Sequence, residues 1–169
     1  MKKIVCFLIL CALCFSLAGC ARVYHGTDEL IEKARKEIPI SQADTTEIRF
    51  AGMCGKGDKA IAWFVSGNEF QAHTYLPMEI EIKDHAAEYT FVRTYKPAIR
   101  GTDLAVLLWE GGYCFLINDP RCVEVEIYDN DGSQHHVPIE KNAYPYVFYW
   151  ESIPSEYGFI DEAGSCIGG

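Results

Sequence analysis

From Thr45 onward apolar and polar residues alternate with a period of two, and turn-forming residues interrupt the alternation at short intervals. Successive side chains of a strand point to opposite faces, so this pattern predicts half-buried strands rather than helices. The segments that carry it are 47–53, 61–65, 70–76, 78–83, 89–95, 104–109, 113–117, 123–128, 134–139 and 144–150. About ten short strands with brief connections predict an all-β fold, an antiparallel β-sandwich or barrel. The connections Ser66-Gly67-Asn68, Glu110-Gly111-Gly112, Asn118-Asp119-Pro120 and Asp129-Asn130-Asp131-Gly132 predict hairpins. Asp129-x-x-Gly132-Ser133 returns as Asp161-x-x-Gly164-Ser165, which predicts one turn used twice.

Ahead of the strands the period is that of a helix. Leu30, Ile31, Ala34 and Ile38 make one apolar face, Asp28 and Glu29 fall in the first turn, and Arg35 and Lys36 fall in the last. Thr27 is the expected N-cap and Pro39 the stop. Glu29 with Lys33 and Glu32 with Lys36 are spaced for ion pairs. One short N-terminal amphipathic helix of about three turns is therefore expected before the β-rich part. Its polar side mixes both charges, so its apolar stripe is expected to pack on the core and not on a membrane.

The first twenty residues follow neither pattern. Lys2 and Lys3 precede an unbroken apolar run over 4–15, and small residues then lead to a cysteine. That is the layout of an export signal, too short for a membrane-spanning helix. Leu17-Ala18-Gly19-Cys20 resembles the lipobox of bacterial lipoproteins at each of its four positions. The resemblance covers residues 1–20 alone. It implies acylation of the Cys20 sulfur, cleavage after Gly19, and a chain fastened to the cell membrane facing away from the cytoplasm. Two acyl chains bury enough methylene groups to hold a protein stably, whereas one does so marginally. The organisation expected is a signal peptide over 1–19, a lipidated cysteine with a short tether over 20–26, and a single domain over 27–169.

Cleavage changes the charge balance. Losing Lys2 and Lys3 lowers the 15 basic side chains to 13 against 24 acidic ones, a net charge of −11 in place of −9. Such a surface excludes nucleic acid as a partner and gives no electrostatic attraction to anionic lipid, which leaves Cys20 as the link to the bilayer. Cys54, Cys114, Cys122 and Cys166 remain, an even number suited to disulfides in an exported domain and lacking the paired C-x-x-C of a zinc site. A hairpin centred near Asn118 would set Cys114 opposite Cys122, within bridging range, with Cys54 and Cys166 as the second pair.

No motif of the mature chain specifies chemistry. Asp129-Asn130-Asp131-Gly132 lacks the acid before it and the closing glutamate of a calcium loop. His135 and His136 are adjacent, so on a strand they face opposite ways and do not share an ion. Met53-Cys54-Gly55-Lys56-Gly57 lacks P-loop spacing and reads as an exposed turn. Catalytic, metal and cofactor residues are accordingly assigned to no position. Tyr144, Tyr146, Phe148 and Trp150 alternate onto one face, where an aromatic stripe serves as core or, if exposed, as a surface for a glycan or protein. Two functions fit: a non-enzymatic binding or interaction module held at the membrane, or an envelope hydrolase built from dispersed Asp, Glu and His residues.

Overall fold

The computed structural model describes residues 22–68, 72–83 and 87–169. The signal segment and Cys20 lie outside the described residues, as do Phe70, Gln71 and His85. The elements are β1 (Val23–His25), α1 (Gly26–Glu37), β2 (Ile48–Lys56), β3 (Lys59–Ser66), β4 (Thr74–Lys83), β5 (Glu88–Thr94), β6 (Ala98–Ile99), β7 (Leu104–Trp109), β8 (Gly112–Ile117), β9 (Cys122–Tyr128), β10 (Gln134–Pro138), β11 (Tyr146–Trp150), β12 (Glu156–Asp161) and β13 (Cys166–Gly168). They form three antiparallel sheets, in the orders β1-β5-β4-β3-β2, β11-β8-β7-β6 and β10-β9-β12-β13. The fold is all-β and sandwich-like, and no barrel closes among the described residues.

Three cores separate the layers. Ala60, Ala62 and Phe64 of β3 face Leu30 and Ala34 of α1, while Ile61, Trp63 and Val65 of the same strand face Ala105, Leu107 and Leu116 of the second sheet. The alternation is repeated one layer on. Cys114 and Leu116 point to the first sheet, and Phe115 and Ile117 point to Val125, Ile127 and Phe159 of the third. A two-layer sandwich buries one face of each sheet. Here β3, β7 and β8 are buried on both, so 61–65, 104–109 and 113–117 are nearly continuous apolar runs and not the half-buried alternation expected of them.

Local details explain the departures from expectation. Residues 23–25 are no free tether: β1 pairs with β5 through Val23↔Thr90, Tyr24↔Tyr89 and His25↔Glu88, because Tyr24 turns inward to the first core. The strand hands the chain directly to α1, so His25 occupies the N-cap position instead of Thr27, and its backbone N–H donates to Glu29 Oε2 at 3.1 Å. The helix ion pairs are Lys33 with Glu37 and Arg35 with Glu32, not those the spacing suggested. Residues 74–76 and segment 78–83 belong to one strand, β4, which runs straight through Pro77. Pro77 is tolerated because β5 ends at Thr94: its carbonyl accepts from Tyr95 N–H at 2.9 Å, and its missing donor faces the same side, beyond the strand's end.

The hairpin turns divide into those that hold and one that does not. Trp109 pairs with Gly112 across Glu110-Gly111, both with positive φ (46° and 79°), the two-residue turn that glycine permits. The repeated motif is indeed one turn used twice, with Asp129 N–H on Ser133 O at 2.9 Å and Asp161 N–H on Ser165 O at 3.0 Å. Asn118-Asp119-Pro120, by contrast, joins no hairpin. β8 pairs with β7 and β11, whereas β9 pairs with β10 and β12. The segment is a crossover between sheets, so Cys114 lies in the second core and Cys122 in the third, and the expected Cys114–Cys122 bridge has no geometry. Cys54 is likewise not in an exposed turn but buried within β2, and Cys166 is exposed on β13.

Leu30 is fully buried between helix and sheet, and Leu108 is 55% exposed. Leu30→Ala is expected to lower the unfolding free energy by about 2–5 kcal/mol. Leu108→Ala should stay within about 0.5 kcal/mol of the unsubstituted chain. Urea titration of both variants checks the pair.

Candidate functional site

A polar cluster forms where the first sheet meets the open end of the β7–β8 hairpin. Leu104 pairs with Ile117, so Asp103 and Asn118 are the next residues outward on each side, and Asn118 N–H donates to Asp103 O at 2.8 Å. Tyr75, opposite Val65 in β4, extends from the second core toward them. Its hydroxyl donates to Asp103 Oδ1 at 2.5 Å and accepts from Asn118 Nδ2 at 3.3 Å. His73 completes the group, with Nδ1 2.6 Å from the same Asp103 oxygen and Nε2 3.1 Å from the Asn68 carbonyl. The His73 side chain is 10% exposed and that of Asp103 22%.

Burial, then the hydrogen bond to Asp103, pushes the Tyr75 hydroxyl well above the ordinary phenol range. It is a fixed donor, not a nucleophile. Both ring nitrogens of His73 are engaged, Nδ1 by Asp103 and Nε2 by the Asn68 carbonyl. Clefts open on its two sides. One of about 480 Å³ is walled by Arg49, Asn68, Asp103 and Asn118. The other, of about 530 Å³, is lined by Leu76, Tyr95, Lys96, Pro97 and Ile99. The second combines apolar and aromatic side chains with a histidine and a lysine, the composition of a small ligand site.

Beside this cluster Asp119 is buried, and the Arg121 guanidinium grips it through Nε at 3.0 Å and Nη2 at 2.6 Å. That hydrogen bonding outweighs desolvation and holds the Asp119 carboxyl below the usual range. Glu79, also buried, receives Tyr95 OH at 2.5 Å and Arg93 Nε at 2.7 Å. Burial pushes it up, but the two donors with the nearby cations prevail and its carboxyl too is lowered.

A second cluster occupies the outer face of the third sheet. Glu124 and Glu126 alternate onto one side of β9, and His136 of β10 pairs with Glu126. One ligand atom from each lies within 4.8 Å of the others, spacing that would admit a divalent ion at the surface. Glu124 Oε1 already meets His136 Nδ1 at 2.8 Å and raises its pKa, chiefly through that hydrogen bond. His135 faces the other way, 3.2 Å from Asp129 and with its ring centroid 4.9 Å from that of Trp150.

The aromatic stripe lies between these regions. Tyr144, Tyr146, Phe148 and Trp150 are half-buried against the third core, where Phe148 stacks on Phe115 with centroids 4.8 Å apart. The Tyr144 hydroxyl donates to Cys122 O, and the Trp150 indole to Asp129 Oδ1 at 3.4 Å. The His73 cluster escaped detection in the sequence because Asp103 follows His73 by 30 positions. One signal existed: extending the β7–β8 register a single step sets Asp103 beside Asn118.

No family model, curated protein or solved structure matches this chain.

Two outcomes follow from the charges. Asp119 has a folded pKa below its unfolded value, so its contribution to stability is present above about pH 4 and is lost as pH falls through the folded value. Asp119→Asn should flatten the acid limb of a stability–pH curve measured by urea midpoints. His136 should titrate above an ordinary histidine by NMR, and Glu124→Gln should return it toward the ordinary value.

Proposed function

We propose that the chain is an exported lipoprotein, acylated on Cys20, whose β-rich domain is a non-enzymatic binding module held against the outer side of the cell membrane. The observation that carries this reading is the lipobox Leu17-Ala18-Gly19-Cys20 standing directly ahead of β1. Ala21 and Arg22 alone separate Cys20 from the first strand, a reach of about 7 Å when extended. A domain so tethered rests at the headgroups. Its net charge of −11 opposes anionic lipid, so acylation supplies the attachment.

The cleft beside His73 is the favoured ligand position. Its Tyr95, Leu76 and Ile99 surfaces fit the apolar face of a sugar ring or a peptide side chain, with Lys96 and His73 to orient polar groups. A hydrolase is the second reading, favoured by the 2.6 Å contact of His73 with Asp103 inside a cleft. Against it, the Asn68 carbonyl occupies the Nε2 that would accept a proton, and the hydroxyl in contact with the pair is the fixed donor Tyr75.

Metabolic labelling with a palmitate analogue tests the anchor. The unsubstituted protein should carry label in the membrane fraction, and Cys20→Ser should carry none. Equal label in both would contradict the reading.

A further inference from the structure

We propose that Cys54 and Cys114 form a disulfide that ties the first sheet to the second. Both side chains are buried in the second core, one contributed by β2 and the other by β8. Both thiols are free in this structure and belong to one core cluster. The other two cysteines have backbone partners instead: Cys122 Sγ lies 3.4 Å from Glu124 O, and Cys166 Sγ lies 3.2 Å from Gly168 O. Contacts at the same end of the interface fix the two strands. Lys59 Nζ meets Glu110 Oε1 at 3.2 Å, joining the β2–β3 hairpin to the β7–β8 turn. Lys56 Nζ stands 5.9 Å from the ring centroid of Tyr149, whose backbone pairs with Cys114. Both hairpins are thereby held at the end where their cysteines share one core.

The oxidant is an external disulfide, whether a small molecule or an envelope oxidoreductase, and the export reading supplies the compartment in which it acts. One cysteine, as thiolate, attacks a sulfur of that disulfide and releases one external thiol, leaving a mixed disulfide. The second cysteine, after losing its proton, attacks the sulfur of the first and expels the other external thiol. Two protein S–H bonds and one external S–S bond give way to one protein S–S bond and two external S–H bonds. Two electrons and two protons thus pass to the oxidant. Contact with Cys54, then burial, pushes the Cys114 thiol far above its ordinary range, so exchange belongs to the period before the second core closes. The bridge spans about 60 residues of sequence, a loop far longer than a hairpin bridge would close.

Protein purified in detergent from the exporting host is reduced in denaturant, refolded with oxidised glutathione, alkylated and digested without reductant. The expected product is the Cys54 peptide joined to the Cys114 peptide, two hydrogens lighter than the separate pair, with Cys122 and Cys166 alkylated. The oxidised protein should also melt at a higher temperature than the reduced one. Alkylation of Cys54 and Cys114, or linkage of Cys114 to Cys122 or Cys166, would overturn the assignment. Recovery of Cys20 without lipid in the same digest would count against the anchor and leave the bridge unaffected.

Discussion

Burial of the second sheet on both faces is the constraint from which the architecture follows. β7 and β8 offer Ala105, Leu107, Cys114 and Leu116 to one neighbour and Leu104, Val106, Phe115 and Ile117 to the other. Neither set can be exposed without loss, since each large apolar side chain contributes about 1.5–3 kcal/mol on burial. The first sheet must therefore cover one face and the third the other. The first in turn needs α1, because Ala60, Ala62 and Phe64 remain on its far side. Small alanines there let the helix approach closely enough for Leu30 and Ala34 to be fully buried.

The first interface between sheets is closed at each end by polar contacts. Tyr75, His73, Asp103 and Asn118 join the layers where β3 ends and β7 begins, and Lys59 with Glu110 joins them at the opposite end. The first group doubles as the wall of two clefts. A side chain that must hold two sheets together is also rigid enough to present a fixed hydrogen-bonding surface, which is what a ligand site requires. The indole N–H groups of Trp63 and Trp109, buried between these ends, have no hydrogen-bond partner among the described residues. The polar groups satisfied here are concentrated at the rims.

Local pattern was legible in the sequence and sheet membership was not. Period two located nine of the described strands in whole or part, and glycine chemistry identified the Glu110-Gly111 turn and the twin turns at Asp129 and Asp161. Adjacent His135 and His136 face opposite ways as a strand demands. What failed was the inference from a turn-like Asn118-Asp119-Pro120 to a hairpin, because those residues bend the chain equally well into a neighbouring sheet. Cys114 and Cys122 were misassigned for that reason alone. β1 was missed because three residues carry too little alternation to see, and β12 because its core face holds only Tyr157 and Phe159 before Asp161. The His73 and Asp103 pairing depends on two hairpins meeting across a core, a relation that no spacing within one segment encodes.

If the doubly buried sheet is the centre of the stack, its amides should be released only when the whole molecule unfolds. Native-state hydrogen exchange resolved by residue tests this most directly. The account predicts that Val106, Phe115 and Leu116 of the second sheet exchange with the same opening free energy as Ala62 and Phe64 of β3, equal to that of global unfolding. Exchange of β7 and β8 through a lower-energy opening while β3 stays protected would show that the second sheet is a peripheral layer, and would contradict the account.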